Sequence, residues 1–301
     1  MHTAWLFPGQ GSQKLGMGKD IISLNDAKRR FDLASNIFNK DLYQICGLQI
    51  DNNSDELSLN ITKNTQICLF LVESILLDAL KSKGYKPDFL AGHSLGEITA
   101  LYAAEVLSFE ECVTLIKIRS ELMSSAVKGS MAALIGFDIE ELRQSVESLN
   151  DVVIANDNSS SQVVLSGKRE ELESLSNMIS CKRFIFLNVS GAFHSHFMKE
   201  PSQKFSKYLD DLNFKEPKFP VISNSNPTLC SNSDELKIRL KNQMCNGVRW
   251  SETMDLIKRQ GNDDEIHFVE IGPSNVLGGL AKRHLKNIMI SQVSSAKEIS
   301  Y

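Results

Sequence analysis

Residues 88–97 read DFLAGHSLGE, and the fold turns on how this stretch is taken. Phe89, Leu90 and Ala91 form a short apolar run, the mark of a buried strand. Residues 95–107, LGEITALYAAEVL, carry helix-forming residues with an acidic first turn. Between them Ser94 is flanked by Gly92 and Gly96 in the pattern G-x-S-x-G. A strand, a tight Gly-Ser-Gly turn and a helix in direct succession make a nucleophile elbow, in which the serine Oγ is exposed at the turn. The Leu95 N–H, at the helix N-terminus, then points at a developing oxyanion. The plainer alternative is a structural turn that happens to hold a serine.

Working outward, residues 3–7, TAWLF, read as a buried strand running into the Gly-rich turn PGQGSQ. Residues 64–83 read as a long helix, with Asn64 or Thr65 as its cap and Gly84 after its end. A further helix is expected over residues 109–127. The middle of the chain changes rhythm: SMAALIGF, DIEELRQSVESL, DVVIAN, SQVVLSG, KREELESLSNMI and RFIFLNVS alternate as β-α-β-β-α-β. That is the ferredoxin-like order. The expected fold class is α/β, a hydrolase-like large part (residues 1–127 and 194–301) interrupted by a ferredoxin-like small subdomain (residues 128–193). PKFPVISNSNP and EIHFVEIGP add strands to the large part, and the tail 294–301 reads as loose.

Composition narrows the class. The 301 residues are 42% hydrophobic and 23% charged with a net charge of −4, the balance of a water-soluble globular chain. The charge gives no reason to expect nucleic-acid or membrane-surface binding. No apolar run approaches the roughly 20 residues of a membrane span, and the first residues lack the pattern of a secretory signal. Cys46, Cys68, Cys112, Cys181, Cys230 and Cys245 are scattered without a CxxC pair, which reads as free thiols in a reducing cytoplasm and not as a metal site.

A serine nucleophile needs a base. Of six histidines, His2 is terminal and His93 precedes the turn and is expected to point away from Ser94. His194 and His196 lie where the small subdomain rejoins the large part, and a cleft between subdomains suits a catalytic base. His194 is favoured, with His196, His267 and His284 as alternatives. In residues 109–127 an apolar stripe runs Cys112, Leu115, Ile116, Arg119, Leu122, Met123, Ala126, with Lys117, Ser120, Glu121 and Ser124 on the polar face. Arg119 thus falls inside the buried face. An unpaired buried guanidinium costs several kcal/mol, so Arg119 either joins an internal ion pair or faces a cavity that receives a carboxylate.

FPGQGSQ (7–13), NTQ (64–66), GHSLGE (92–97), KIRSELM (117–123), SGAFHS (190–195), ISNSNP (222–227), VRW (248–250) and EIGPSNVL (270–277) together carry a family resemblance. The chain resembles the malonyl-CoA:acyl-carrier-protein transacylases and, more broadly, the acyltransferase domains of fatty-acid and polyketide synthases. The resemblance implies Ser94 as nucleophile, His194 as base, the backbone N–H groups of Gln10 and Leu95 as oxyanion hole, and Arg119 as binder of the malonyl carboxylate. It implies that main-chain carbonyl oxygen near Arg249 orients the histidine, and that Phe193 disfavours methylmalonyl groups. It implies malonyl-CoA as donor, an acyl carrier protein with its phosphopantetheine thiol as acceptor, and no bound cofactor or metal. Where FHSPLM is usual the chain has FHSHFM, placing His196 two residues from the base, on the other side if the segment is a strand. Carrier docking calls for a basic patch, for which Lys182-Arg183 and Lys282-Arg283 are candidates.

Two rival functions share parts of this pattern. An acyl hydrolase or thioesterase shares the elbow, but a standard α/β-hydrolase places its histidine near the C-terminus, here His267 or His284. It would also have no use for a buried cation. A non-enzymatic scaffold role would leave the nucleophile, base and oxyanion positions unexplained.

Overall fold

The first strand divides its side chains between two cores. In β1 (His2–Phe7), Trp5 and Phe7 face one side of the sheet while Ala4 and Leu6 face the other, and all four are buried. The computed structural model describes residues 1–48, 57–126, 129–261 and 266–299. The helices are α1 (Ala27–Phe38), α2 (Leu42–Ile45), α3 (Thr62–Ser82), α4 (Gly96–Ala103), α5 (Phe109–Ser124), α6 (Ile139–Glu147), α7 (Arg169–Met178), α8 (Lys199–Asp211), α9 (Ser233–Asn242), α10 (Trp250–Gln260) and α11 (Val276–His284). The remaining strands are β2 (Phe89–Gly92), β3 (Ser130–Phe137), β4 (Val152–Ser159), β5 (Gln162–Gly167), β6 (Cys181–Phe186), β7 (Val221–Ile222), β8 (Leu229–Cys230), β9 (Val248–Arg249), β10 (Ile266–Ile271) and β11 (Met289–Val293).

The large sheet has the order β11-β10-β1-β2-β7-β8, parallel except for the short antiparallel β8. Helices α3, α4 and α5 pack on the Trp5 side, and α10 and α11 on the Leu6 side. Parallel strands covered on both faces read as continuous apolar runs, as TAWLF and DFLA do. Because β1 and β2 are neighbours in register, Phe7 opposite Gly92, the turn after β1 and the elbow after β2 emerge side by side at the carboxyl edge of the sheet. Open α/β sheets bind their ligands at that edge.

The second sheet runs β6-β3-β5-β4-β9. Its first four strands are antiparallel in the ferredoxin-like order, and α6 and α7 cover one face through Leu142, Leu172 and Leu175. The other face, with Met131, Ala133, Ala155 and Val164, joins the large core. The expected small subdomain does not keep its sheet to itself: β9, from the large part, pairs parallel with β4. The expected boundary at residues 127–128 lies outside the described residues.

Several local features differ from the sequence-based expectations. Asn64 and Thr65 do not cap α3; Ile61 is the N-cap, and the two polar residues lie inside the helix. They bond back to the preceding loop, Asn64 Nδ2 donating to the Ser58 carbonyl and Thr65 Oγ1 to the Leu59 carbonyl. Ser120 is fully buried, its hydroxyl donating to the Lys117 carbonyl. The last strand of the small subdomain stops at Phe186 instead of reaching Ser190. The tail is not loose through Ile299, which is buried and whose carbonyl accepts from Lys83 Nζ; residues 300 and 301 lie outside the described residues. The six cysteines are free thiols, with Cys181 and Cys245 only partly buried.

Candidate active site

The elbow is tight enough that its glycines are steric requirements. A Cβ on Gly92 would lie 1.9 Å from the Gly96 carbonyl, and one on Gly96 would lie 2.0 Å from the Phe7 carbonyl oxygen. Gly9, in the turn after β1, would put a Cβ 2.4 Å from the His93 carbonyl oxygen. Ser94 sits at the apex with φ +52°, a left-handed conformation that is costly for a residue with a Cβ. Asn224 holds it there. Its Oδ1 accepts from the Ser94 N–H at 2.7 Å and its Nδ2 donates to the Gly92 carbonyl at 2.5 Å.

After the elbow the amides of Gly96, Glu97 and Ile98 bond back to His93, Ser94 and Leu95. Leu95 N–H and Gln10 N–H are not tied up in this way among the described residues, and both residues line a cavity of about 80 Å³ together with Ser94, Arg119, Phe193 and His194. That space suits a short acyl group better than a long one.

His194 reaches the elbow from the segment after β6. It too has positive φ, +57°, and is buried. Its Nε2 lies 2.9 Å from Ser94 Oγ. Its Nδ1 lies 3.1 Å from the Gln243 carbonyl and 3.2 Å from the Asn246 carbonyl. Carbonyls only accept, so Nδ1 carries the proton and Nε2 offers its lone pair to the Ser94 hydroxyl. Burial and then the nearby Arg119 cation push the His194 pKa down to about 3. The imidazole is therefore neutral at neutral pH.

The resemblance placed the orienting carbonyl around Arg249; the carbonyls that meet His194 are those of Gln243 and of Asn246, shortly before it, and not that of Arg249 itself. The Arg249 N–H donates to the Asn224 carbonyl, its carbonyl accepts from Thr253 Oγ1, and its side chain pairs with Glu252. The reason is helix geometry. α9 ends at Asn242, and carbonyls at and beyond a helix C-terminus lack the amide four residues on. Those of Gln243 and Asn246 are available, whereas VRW is committed to β9 and the start of α10.

Arg119 lies in the buried face of α5, in a helix started by a Ser108–Glu111 capping box. Among the described residues it makes no ion pair with an acid. Nη1 donates to Gln66 Oε1 at 2.7 Å, Nη2 donates to Gln243 Oε1 at 2.8 Å and to Ser94 Oγ at 3.1 Å, and Nε donates to Gln243 Oε1 at 3.2 Å. Burial lowers its pKa to about 10, opposed by the Glu97 carboxylate, so it remains cationic at neutral pH. The choice between an internal ion pair and a cation facing a cavity falls to the second.

The other histidines are engaged elsewhere. His267 bonds Ser291 Oγ at 2.7 Å, and His284 pairs with Asp255 at 3.0 Å. His196 lies on a short 3₁₀ turn (His196–Met198), not on a strand, and pairs with Asp151 at 3.1 Å. His93 lines the cavity but turns its Nε2 to Asn158 of β4 at 2.9 Å, its ring against Trp250. Of the two basic pairs, Lys182-Arg183 lies exposed on edge strand β6 and Lys282-Arg283 exposed at the end of α11.

Three residues that hold this arrangement carried no sequence signal of their role: Asn224, Gln243 and Asn246. Asn224 and Gln66 lie within motifs that carry the family resemblance; Gln243 and Asn246 lie in none.

The comparisons agree along the whole chain. Residues 4–299 match the model of the acyl transferase domain family. A malonyl CoA-acyl carrier protein transacylase of Synechocystis sp. is 43% identical over 300 residues, covering 100% of this chain and 99% of its own. One from Bacillus subtilis is 38% identical, covering 96% and 93%. The crystal structure of the Synechocystis enzyme superposes with a TM-score of 0.93 at 42% identity over 99% of both chains. A malonyl-transacylase solved in complex with a type II polyketide acyl-carrier protein gives 0.91 at 32% identity, over 99% of this chain and 98% of its own. With an elbow serine, a facing histidine and a buried arginine meeting in one cleft of this fold, the chain belongs to the malonyl-CoA:acyl-carrier-protein transacylase family of acyl transferases.

Proposed function

We propose that the protein transfers a malonyl group from malonyl-CoA to the phosphopantetheine thiol of an acyl carrier protein, in two half-reactions through an ester on Ser94. The observation that carries this reading is the convergence on Ser94 Oγ of a neutral imidazole at 2.9 Å and, at 3.1 Å, a guanidinium that has no acid partner among the described residues. An acyl group that enters with its own carboxylate answers the cation while its thioester carbon meets the hydroxyl.

In the first half-reaction Ser94 Oγ attacks the thioester carbonyl and its proton passes to His194 Nε2. The N–H groups of Gln10 and Leu95 stabilise the tetrahedral oxyanion, a contribution typically worth about a hundred- to a thousandfold in rate per donor. The C–S bond breaks and the CoA sulfur takes the proton from His194. In the second half-reaction the carrier thiol gives its proton to His194 and attacks the ester, and Ser94 regains its proton. The imidazolium formed each time is held by the Gln243 and Asn246 carbonyls. A malonyl carboxylate on Arg119 also offsets the cation that depresses His194, so the base strengthens when the right substrate is in place. Phe193, in the cavity wall, crowds an α-methyl group and disfavours methylmalonyl donors.

No bound cofactor or metal enters these steps. The same reading makes residues 1–127 and 194–301 the catalytic part and residues 128–193 a small subdomain that walls the cleft, and places the enzyme in the cytoplasm with fatty-acid or polyketide synthesis. A polyketide biosynthesis malonyl CoA-acyl carrier protein transacylase of Bacillus subtilis, 37% identical over 94% of this chain, supports the polyketide side of that assignment.

The test is acylation followed by chase. Malonyl-CoA is expected to add one malonyl group to the Ser94 peptide, seen by mass spectrometry, and a phosphopantetheinylated carrier protein is expected to remove it and become malonylated. Release of free malonate with no transfer to any carrier favours the hydrolase. No adduct at Ser94 overturns the proposal.

A further inference from the structure

Arg119 is completely buried, yet Glu97, whose charge acts on it, makes no hydrogen bond or ion pair with it. Glu97, buried in the first turn of α4, contributes only through space. Its Oε2 is occupied by Gln243 Nε2 at 2.8 Å and the Asn224 N–H at 3.2 Å. The same Gln243 Nε2 donates to the Ser94 carbonyl at 2.9 Å. A side-chain amide has one donating and one accepting end. With Glu97 and the Ser94 carbonyl holding the NH₂ end, Gln243 Oε1 must face the guanidinium. On the far side Gln66 presents its own Oε1 to Arg119, with its Nε2 against Met123 Sδ at 3.4 Å.

We propose that Gln66 and Gln243 are specificity-determining residues: neutral acceptors that fix the Arg119 guanidinium in place without forming an ion pair with it, so that only an acyl group bearing a carboxylate completes the site. This rests on the malonyl reading above and names what in the chain enforces it. The amide oxygens satisfy the fork geometrically, which keeps a buried cation tolerable, but they carry no net charge. A carboxylate at either position would form an internal ion pair. The substrate carboxylate would then meet a neutralised arginine beside a like charge, whereas a neutral acyl group would meet no such penalty. Glu97 serves here as a positioning residue, setting the polarity of Gln243 from one amide away.

The experiment compares Ser94 acylation rates from malonyl-CoA and acetyl-CoA, read by intact-protein mass, for the native chain and for Gln66→Glu, Gln243→Glu and Arg119→Ala. Either glutamate variant is expected to lower the malonyl-to-acetyl preference by about a hundredfold, the scale on which buried charge pairings act. The ratio is the informative quantity, because general damage to the site slows both donors together. The two substitutions lie on separate elements, so a folding failure of one leaves the other to decide. An unchanged ratio in the glutamate variants, alongside a collapsed ratio in Arg119→Ala, overturns this proposal and leaves the malonyl reading intact. A native enzyme with no malonyl preference, or an Arg119→Ala enzyme that keeps it, overturns the malonyl reading itself.

Discussion

Ser94 and His194 share a left-handed backbone conformation, φ +52° and +57°, that neither residue type favours, and their side chains meet at 2.9 Å. Two such outliers at the ends of one hydrogen bond mark where local strain is maintained by the surrounding packing. Ser94→Ala and His194→Ala are each expected to reduce malonyl transfer by about a thousandfold or more, and the double variant by little beyond either single one, since the pair acts as a unit. Steady-state transfer to a carrier protein checks this; multiplicative losses would separate the two residues into independent roles.

Gly96→Ala is expected to destabilise the chain by about 3 kcal/mol, or to prevent folding, because its Cβ meets the Phe7 carbonyl oxygen at 2.0 Å and neither backbone can yield alone. Urea unfolding measures it. A change within a few tenths of a kcal/mol would mean that the elbow and β1 can move apart.

Arg119→Lys is expected to restore little of the malonyl preference lost in Arg119→Ala. An ammonium cannot span Gln66, Gln243 and Ser94 Oγ as the planar fork does. Relative kcat/KM for malonyl- and acetyl-CoA decides. Full recovery with lysine would show that charge alone, without the fork, is enough.

The depressed histidine has two consequences for pH. His194 sits near 3 in the fold against an ordinary 6.5, so from 6.5 downward an unfolded chain binds a proton that the folded chain refuses. Stability therefore falls as pH falls through that window, by up to about 1.4 kcal/mol per pH unit for each such group. His93 and His267, also lowered by burial, act in the same direction. His194→Gln is expected to flatten the slope of unfolding free energy against pH below 6.5. The acid limb of kcat/KM, which reports the free enzyme, is expected well below the ordinary histidine value; a limb centred at 6.5 would contradict the assigned burial.

Arg249→Ala is expected to leave Ser94 acylation within about twofold, since its side chain makes a half-exposed pair with Glu252 of the kind worth less than about 1 kcal/mol. A large drop in acylation rate would give the Arg249 side chain a part in the site that its pair with Glu252 does not explain.

What the sequence made legible was local and periodic. The elbow could be read because strand, Gly-x-Ser-x-Gly turn and helix are contiguous, and Arg119 because a charge inside an apolar helical stripe breaks the pattern. The alternation from residue 130 to 186 revealed the ferredoxin-like order for the same reason. The support of His194 was hidden, because it depends on where a helix ends: a carbonyl freed beyond Asn242 leaves no mark on residue identity. Asn64 and Thr65 misled because a polar residue near a helix start reads as a cap whether it bonds forward to amides or back into the loop. Gln243 was invisible for a different reason. An amide is an ordinary surface residue until the fold shows that both of its ends are engaged.

The pairing of β9 with β4 constrains how cargo is delivered. A strip of the large part is woven into the neighbouring sheet, so swinging the two halves apart would tear main-chain hydrogen bonds and the β4 contacts of α10 and α11. Widening the slot therefore costs those bonds, and reaching its floor falls to the visitor: a long, slender, flexible tether threads in while the bulky body that bears it stays outside.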